Sequence, residues 1–263
     1  MSTLKVPTVA EMVARNEQPD ILFWVGCSGS FDDRAKKITK AIVKILNYCY
    51  VKFAVLGAEE SCTGDPAKRA GNEFSFMMQA IQNIELLKGY QIKKIVTGCP
   101  HCFNTLKNEY PELGGDFEVI HHTQLINQLI REGKLLLKDG GSFSGKKITF
   151  HDPCYLGRAN GVYEIPRDVL KKLDSELHEM KRSKSKGLCC GAGGAQMFKE
   201  AENGNKEINI ERTEDALEVK PDVIATGCPF CNTMMTDGVK YFEKENEIEV
   251  KDIAELIANA ADL

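Results

Sequence analysis

Cysteine placement constrains this chain more than any other feature. Nine of its ten cysteines fall in a frame that occurs twice. Cys27 recurs as Cys154 after 127 residues, and Cys62 is matched to Cys190 at a shift of 128. Cys99 and Cys102 recur as Cys228 and Cys231, both at 129. Thr97-Gly98-Cys99-Pro100 returns as Thr226-Gly227-Cys228-Pro229. Three spacings preserved to within two residues mark an internal duplication. The 263 residues therefore read as two related halves, 1–140 and 141–263. A polar, glycine-rich stretch from Lys138 to Gly145 links them.

Each half alternates short apolar runs with amphipathic ones. Strands are expected at Ile21–Val25, Phe53–Leu56, Lys94–Thr97 and Phe117–Ile120, then at Lys147–Phe150, Glu176–Met180, Val223–Thr226 and Ile248–Val250. Helices are expected around Val9–Arg15, over Phe103–Tyr110, Gln124–Arg131, Arg167–Leu173, Asn205–Lys220 and Ile253–Ala260. Asp32 and Asp33 open another, with Ile38, Ile42, Ile45, Leu46 and Cys49 on its core stripe. Phe74, Met77, Met78, Ile81, Ile84 and Leu87 form one more apolar stripe, also read as core. This alternation predicts an α/β fold of two pseudo-repeated Rossmann-like halves, each a small parallel sheet with flanking helices. The repeated cysteines follow strands. Cysteine loops should thus gather at strand C-terminal ends, where open α/β sheets bind ligands.

A net charge of −4 gives no support to nucleic-acid binding. No apolar run is long enough for a direct membrane span, and the first residues lack the basic-then-apolar pattern of a secretory signal. A cytoplasmic protein is expected, and structural disulfides are rare there. Ten cysteines then point to metal binding or catalysis.

The second half offers five thiols: Cys154, Cys189, Cys190, Cys228 and Cys231. Adjacent Cys189 and Cys190 are poorly placed to bond each other. Gly191, Gly193 and Gly194 let backbone N–H groups approach a ligand, and their spacing is not that of a dinucleotide fingerprint. Zinc takes four ligands, as does a cubane four-iron cluster. Five sulfurs exceed either demand and suggest an opened multi-iron cluster. The first half offers four: Cys27, Cys62, Cys99 and Cys102, with Ser61 read as standing where Cys189 stands. Four suits a cubane cluster or zinc.

The pattern Cys154…Cys189-Cys190-Gly191…Cys228-Pro229-Phe230-Cys231 resembles the cysteine-rich CCG domain. That domain occurs in heterodisulfide reductase and in the iron–sulfur subunits of glycolate oxidase, anaerobic glycerol-3-phosphate dehydrogenase, lactate-utilisation complexes and thiol:fumarate reductase. The resemblance runs from about Cys27 to the last helix. It implies a noncubane 4Fe–4S cluster on Cys154, Cys189, Cys190, Cys228 and Cys231. The first repeat departs from it, with Ser61-Cys62-Thr63-Gly64 in place of Cys-Cys-Gly. An ordinary 4Fe–4S cluster on Cys27, Cys62, Cys99 and Cys102 is expected there, an empty site being the alternative. The resemblance also implies an electron-transfer subunit of an oxidoreductase complex, passing electrons to a disulfide, a quinone, another small molecule or a protein. A ferredoxin-type or flavoprotein subunit would feed it, and any attachment to a membrane complex would run through a partner. Two other readings stay open: a dithiol redox protein using Cys99-Pro100-His101-Cys102, and a structural zinc module.

Beyond the ligands, Cys189, Cys190 and His151 are the candidate catalytic residues. His101 and His151 could each donate to a cluster sulfur or relay a proton. His121 and His122 are read as helix-start contacts and His178 as structural. Arg34 and Arg158 could neutralise an anionic cluster or hold a substrate carboxylate, against a duller reading as surface ion pairs. Asp65, Pro66 and Arg69 are read as seating the helix after Cys62, and Glu59 and Glu60 as a solvated pair.

Overall fold

The computed structural model describes residues 4–138, 142–200 and 203–263. The expected boundary between residues 140 and 141, with part of the link, lies outside them. Among the described residues, eight strands form at the places expected: β1 Ile21–Trp24, β2 Phe53–Ala54, β3 Lys94–Thr97, β4 Glu118–His121, β5 Lys147–Phe150, β6 Glu176–Leu177, β7 Val223–Thr226 and β8 Glu249–Asp252. They build two four-stranded sheets, ordered β2-β1-β3-β4 and β6-β5-β7-β8. Every pairing is parallel. The identical orders extend the duplication from cysteines to topology.

The α-helices of the described residues connect the strands: α1 Val9–Val13, α2 Gly26–Phe31, α3 Asp33–Tyr48, α4 Asp65–Arg69, α5 Glu73–Gly89, α6 Pro100–Asn104, α7 His122–Arg131, α8 Glu164–Leu170, α9 Ile208–Glu218, α10 Pro229–Tyr241 and α11 Ile253–Ala260. Local signals explain several starts. The Asp32 carboxylate caps α3 by accepting the Ala35 N–H at 2.6 Å. Asp252 caps α11 by accepting the Ala254 N–H at 2.8 Å. α10 was not expected from periodicity. Pro229 at its first turn is pre-set for a helix start.

One apolar cluster ties both sheets together. Phe23 and Val96 share it with Phe150 and Val223, through Ile42 and Leu46 of α3, Leu125 of α7, Val169 of α8 and Ile257 of α11. Each such side chain contributes about 1.5–3 kcal/mol when fully buried. Cys49 is buried in this cluster, as the stripe of α3 predicted. The stripe on α5 is corrected. Ile84 and Leu87 are buried, but Phe74, Met77, Met78 and Ile81 are exposed. The helix carries two apolar faces, and the one that packs inward is Phe76, Ala80, Ile84 and Leu87. Among the described residues no helix is long and apolar enough to cross a membrane.

Candidate metal centre

The sheets present their C-terminal strand ends to each other's loops, and all nine repeated cysteines gather there. Cys27 sits in the first turn of α2, directly after β1. Gly26, at φ +77, precedes it, and a Cβ there would lie 3.2 Å from the Cys102 sulfur. Glycine is required at that approach. Cys62 lies in the loop after β2, and Cys99 and Cys102 bracket the start of α6 after β3. Cys154, Cys189, Cys190, Cys228 and Cys231 occupy the matching loops of the second half. All are free thiols.

Within each half the thiols touch one another. Cys27 neighbours Cys62, and Cys99 neighbours Cys102. Cys154 neighbours Cys189, Cys189 neighbours Cys190, and Cys231 reaches both Cys190 and Cys228. The two sets also approach each other: the thiols of Cys99 and Cys228 lie close enough across the halves to shift each other's acidity. Crowding splits their acidities. The bond with Cys189 and then burial push the Cys154 thiol far up. The bonds from Cys154 and Cys190 hold Cys189 far down. The same opposition raises Cys27 and lowers Cys62. Thiolates this close oppose each other's ionisation. A cationic metal group would remove that opposition, because it binds the deprotonated form.

The geometry corrects the alignment of the two halves by one residue. The Gly64 N–H donates to the Cys62 sulfur at 3.4 Å, and the Gly191 N–H donates to the Cys189 sulfur at 3.3 Å. Gly64 and Gly191 share φ near the same value, +88 and +91. Cys62 is half-buried like Cys189, whereas Thr63 is buried like Cys190. Thr63 Oγ1 faces the Cys102 sulfur at 3.9 Å, as Cys190 neighbours Cys231. Cys62 is therefore the counterpart of Cys189, at a shift of 127. The thiol missing from the first half is that of Cys190, replaced by Thr63. Ser61 is not the substitute; it donates to Asn83 Oδ1 at 2.8 Å.

The polar neighbours are now placed. His151 is fully buried, and burial followed by the Arg212 guanidinium lowers its pKa to about 3. One of its ring nitrogens lies within 4.8 Å of the Cys190 and Cys231 sulfurs. Arg212 Nε donates to His151 Nδ1 at 3.0 Å. A shift of 127 sets Trp24 opposite His151, and both side chains are fully buried. The shift of 129 in the following segment sets Asn83 opposite Arg212. Periodicity missed Trp24, Thr63, Asn83 and Arg212. The repeat shifts, applied to polar residues as well as cysteines, could have found them.

His101 lies between the two thiol sets. Its Nδ1 pairs with Asp65 Oδ2 at 2.8 Å, and its ring stacks on Tyr155 with centroids 4.4 Å apart. Burial opposes its charged form, yet the Asp65 hydrogen bond leaves the imidazole raised. Asp65 also accepts from Arg69 Nε at 3.0 Å, so this carboxylate seats α4 as expected. His121 and His122 stand at the start of α7, and His122 Nε2 meets Asp252 Oδ1 at 2.9 Å across the halves. His178 is surface-paired with Glu176 at 3.1 Å.

Neither Arg34 nor Arg158 faces a thiol. Arg34 grips Glu255 at 2.9 and 2.7 Å. Arg158 donates to the Gly187 carbonyl at 2.6 Å, which holds the loop ahead of Cys189. Glu60 corrects the solvated-pair reading. It accepts the Val25 and Gly26 amides at 3.0 and 2.6 Å beside Cys27, and burial raises it to about 7. Glu59 does remain exposed, on the Tyr90 hydroxyl.

Residues 21–107 and 148–236 each match the family model of the CCG cysteine-rich domain. The chain is 46% identical over 97% of its length to a probable iron-sulfur-binding oxidoreductase, FadF, of Bacillus subtilis. It is 44% identical over 92% to an EtfAB:quinone oxidoreductase of Syntrophomonas wolfei. It is 35% identical over 94% to one subunit of the dihydromethanophenazine:CoB–CoM heterodisulfide reductase of Methanosarcina barkeri. It spans 36%, 34% and 60% of those three proteins.

Proposed function

The chain belongs to the cysteine-rich CCG-domain family, and we propose that it is an iron–sulfur electron-transfer subunit of a heterodisulfide-reductase-like oxidoreductase complex. The names of its relatives, an iron-sulfur-binding oxidoreductase and a heterodisulfide reductase component, support that reading. Its two centres are an ordinary 4Fe–4S cluster on Cys27, Cys62, Cys99 and Cys102, and a noncubane 4Fe–4S cluster on Cys154, Cys189, Cys190, Cys228 and Cys231. The acceptor is a disulfide, a quinone, another small molecule or a protein, and a ferredoxin-type or flavoprotein subunit is the donor. A cytoplasmic location, with membrane attachment only through a partner, belongs to the same proposal. So does the division into halves 1–140 and 141–263.

The donor set fits such groups. Thiolates are the ligands that iron–sulfur clusters take. Backbone N–H groups of Gly64 and Gly191 already point at sulfur. Trp24 Nε1 and His151 Nε2 are buried without partners among the described residues, as donors reserved for an additional acceptor would be. Bound there, the clusters would supply one-electron steps. The chain's own part is to hold the sulfurs, screen them from water and bring the two sets together. Cys154 and Cys189 are the half-buried thiols of the second set, and Cys189 has the buried Cys190 and His151 beside it, so acceptor chemistry is assigned to that end.

The observation that carries the reading is the gathering of nine free thiols at the C-terminal strand ends of two like sheets, with Cys99 and Cys228 close enough to shift each other's acidity. That proximity sets the two thiol sets near enough to exchange electrons. A dithiol exchange protein needs a reachable thiolate, but Cys99 and Cys102 are only 4% and 5% exposed. A structural zinc ion is satisfied by four ligands and would leave one second-half thiol over.

The test is anaerobic purification or reconstitution of the chain, followed by iron analysis, absorption and EPR. About eight iron atoms per chain, from two four-iron groups, and two distinct EPR signals are expected. A folded, colourless protein that binds zinc and no iron under those conditions would overturn the proposal.

A further inference from the structure

The buried corner that holds Cys190, Cys231 and His151 contains a device that the ligand set does not account for. Arg212 Nε donates to His151 Nδ1 at 3.0 Å. A guanidinium nitrogen can only donate, so Nδ1 keeps its lone pair and the neutral ring carries its proton on Nε2. Nε2 has no partner among the described residues. With Nδ1 turned to Arg212, Nε2 is the nitrogen left free on a ring that has one nitrogen within 4.8 Å of the Cys190 and Cys231 sulfurs. Arg212 cannot swing away. Its side chain is fully buried, and Nη1 is tied to the Arg182 carbonyl at 2.6 Å and to Asp215 at 3.1 Å. Asp215 is itself clamped by Arg182 Nε and Nη2 at 2.7 and 2.9 Å. Arg212 Nη2 is a further buried donor without a partner among the described residues.

The first half lacks this device. Trp24 stands opposite His151, and its indole can donate a hydrogen bond but has no lone pair to give a metal. Asn83 stands opposite Arg212. It is neutral, and its amide is spent on the Cys62 carbonyl at 2.9 Å and the Tyr110 hydroxyl at 3.0 Å.

We propose that Arg212 is a positioning residue that holds His151 as a hydrogen-bond donor to the second thiol centre, bars it from becoming a ligand, and makes that centre the easier of the two to reduce. The proposal rests on the iron–sulfur reading above. Ligation through Nε2 would move the ring proton to Nδ1 and set it against the Arg212 Nε–H, two donors face to face at 3.0 Å. Donation instead places an N–H dipole, backed by a buried cation, beside sulfur that gains charge on reduction. Hydrogen bonds to cluster sulfurs are among the factors that set reduction potential. The first centre has one neutral ring donor and no cation in this role, so electrons settle on the second.

The experiment uses anaerobically loaded protein carrying 15N-histidine. Pulsed EPR of the wild type, which needs no variant to fold, should show weak 15N coupling at the second centre and a nearby proton that exchanges in D2O. Potentiometric EPR should place the second centre at the higher midpoint. In Arg212→Leu the exchangeable-proton coupling should weaken. The second midpoint should fall by at least a tenfold shift in the reduction equilibrium, about 59 mV for one electron, while the first stays put. His151→Gln, which can still donate, should keep more of the potential than His151→Phe. Strong 15N coupling at the second centre would show ligation and overturn the proposal. So would unchanged midpoints in an iron-loaded Arg212→Leu protein. A chain that takes up no iron instead overturns the functional reading beneath it.

Discussion

Two corners of this molecule occupy the same place in the repeat and differ in every polar residue. In the first half the corner is Trp24, Thr63 and Asn83 beside Cys102; in the second it is His151, Cys190 and Arg212 beside Cys231. The backbone is common to both: parallel strands in the same order, a positive-φ glycine after the motif, and an N–H directed at the preceding sulfur. A common backbone with exchanged side chains separates two jobs. The shared part holds four thiols. The exchanged part adds a fifth thiol, a ring with a fixed tautomer and a buried cation at one end only.

The comparison is broken most severely by Cys190→Thr. That substitution gives the second half the four-thiol set of the first, and its distinctive EPR signal should be lost while the first centre's remains. Thr63→Cys is the converse and should add a fifth sulfur to the first set. If Cys190→Thr leaves the second signal intact, the fifth thiol is not what distinguishes the halves.

Next in size is a stability effect. Asp152 stands beside His151 where the first half has Val25. Its carboxylate is buried and held by Arg167 through two bonds of 2.7 and 2.9 Å, with the Lys184 amide at 2.8 Å. Arg167→Leu strands that charge, and breaking a buried pair from one side costs about 3–5 kcal/mol. Denaturant unfolding measures it. A loss below about 1 kcal/mol, the range of exposed pairs, would mean that the second half does not depend on this staple.

Much of this was legible in the sequence, and for a physical reason. Strands buried on both faces, such as β1 and β7, read as short apolar runs, and their regular spacing in the duplication placed the more exposed edge strands too; their cysteine loops could lie only at one end of parallel sheets. The register of the double-cysteine motif was not legible. Cysteine identity favoured Cys62 with Cys190, whereas the glycine conformation and the N–H···S contact select Cys189. α5 misled because both of its faces are apolar, and periodicity cannot say which one packs. Glu60 looked solvated because two adjacent acids usually are, and its amide partners, Val25 and Gly26, lie at the start of α2, 35 and 34 residues away in sequence. His151 was a candidate from its place before Cys154. The residue that fixes its tautomer lies 61 positions on, and only the fold joins them.

The halves also meet at equivalent helix starts. His121 begins α7 and Asp252 begins α11, and the neighbouring His122 bonds Asp252 at 2.9 Å with both side chains buried. His122→Phe keeps the ring volume but leaves that carboxylate oxygen with only the Ala254 amide. Losing a partner to a buried acceptor costs about 1–3 kcal/mol. An unfolding midpoint within error of wild type would show that the junction between halves does not depend on this pair, leaving it to the apolar cluster and the Arg34–Glu255 bridge.

The smallest effect is the most discriminating, because it separates Ser61 from Thr63. Ser61 Oγ ends on Asn83 at 2.8 Å, and Asn83 ties the loop to α5 through the Cys62 carbonyl. Ser61→Ala should therefore cost about 0.5–1.5 kcal/mol, the worth of one hydrogen bond, and leave the first centre's EPR signal unaltered. Ser61→Cys should leave that signal unaltered as well, since the side chain points to Asn83 and away from the Thr63–Cys102 contact. A changed signal in Ser61→Cys together with an unchanged one in Thr63→Cys would move the missing thiol back by two residues. The two halves would then differ at the solvent edge of the motif, where Ser61 is exposed, and not at the buried corner beside His151.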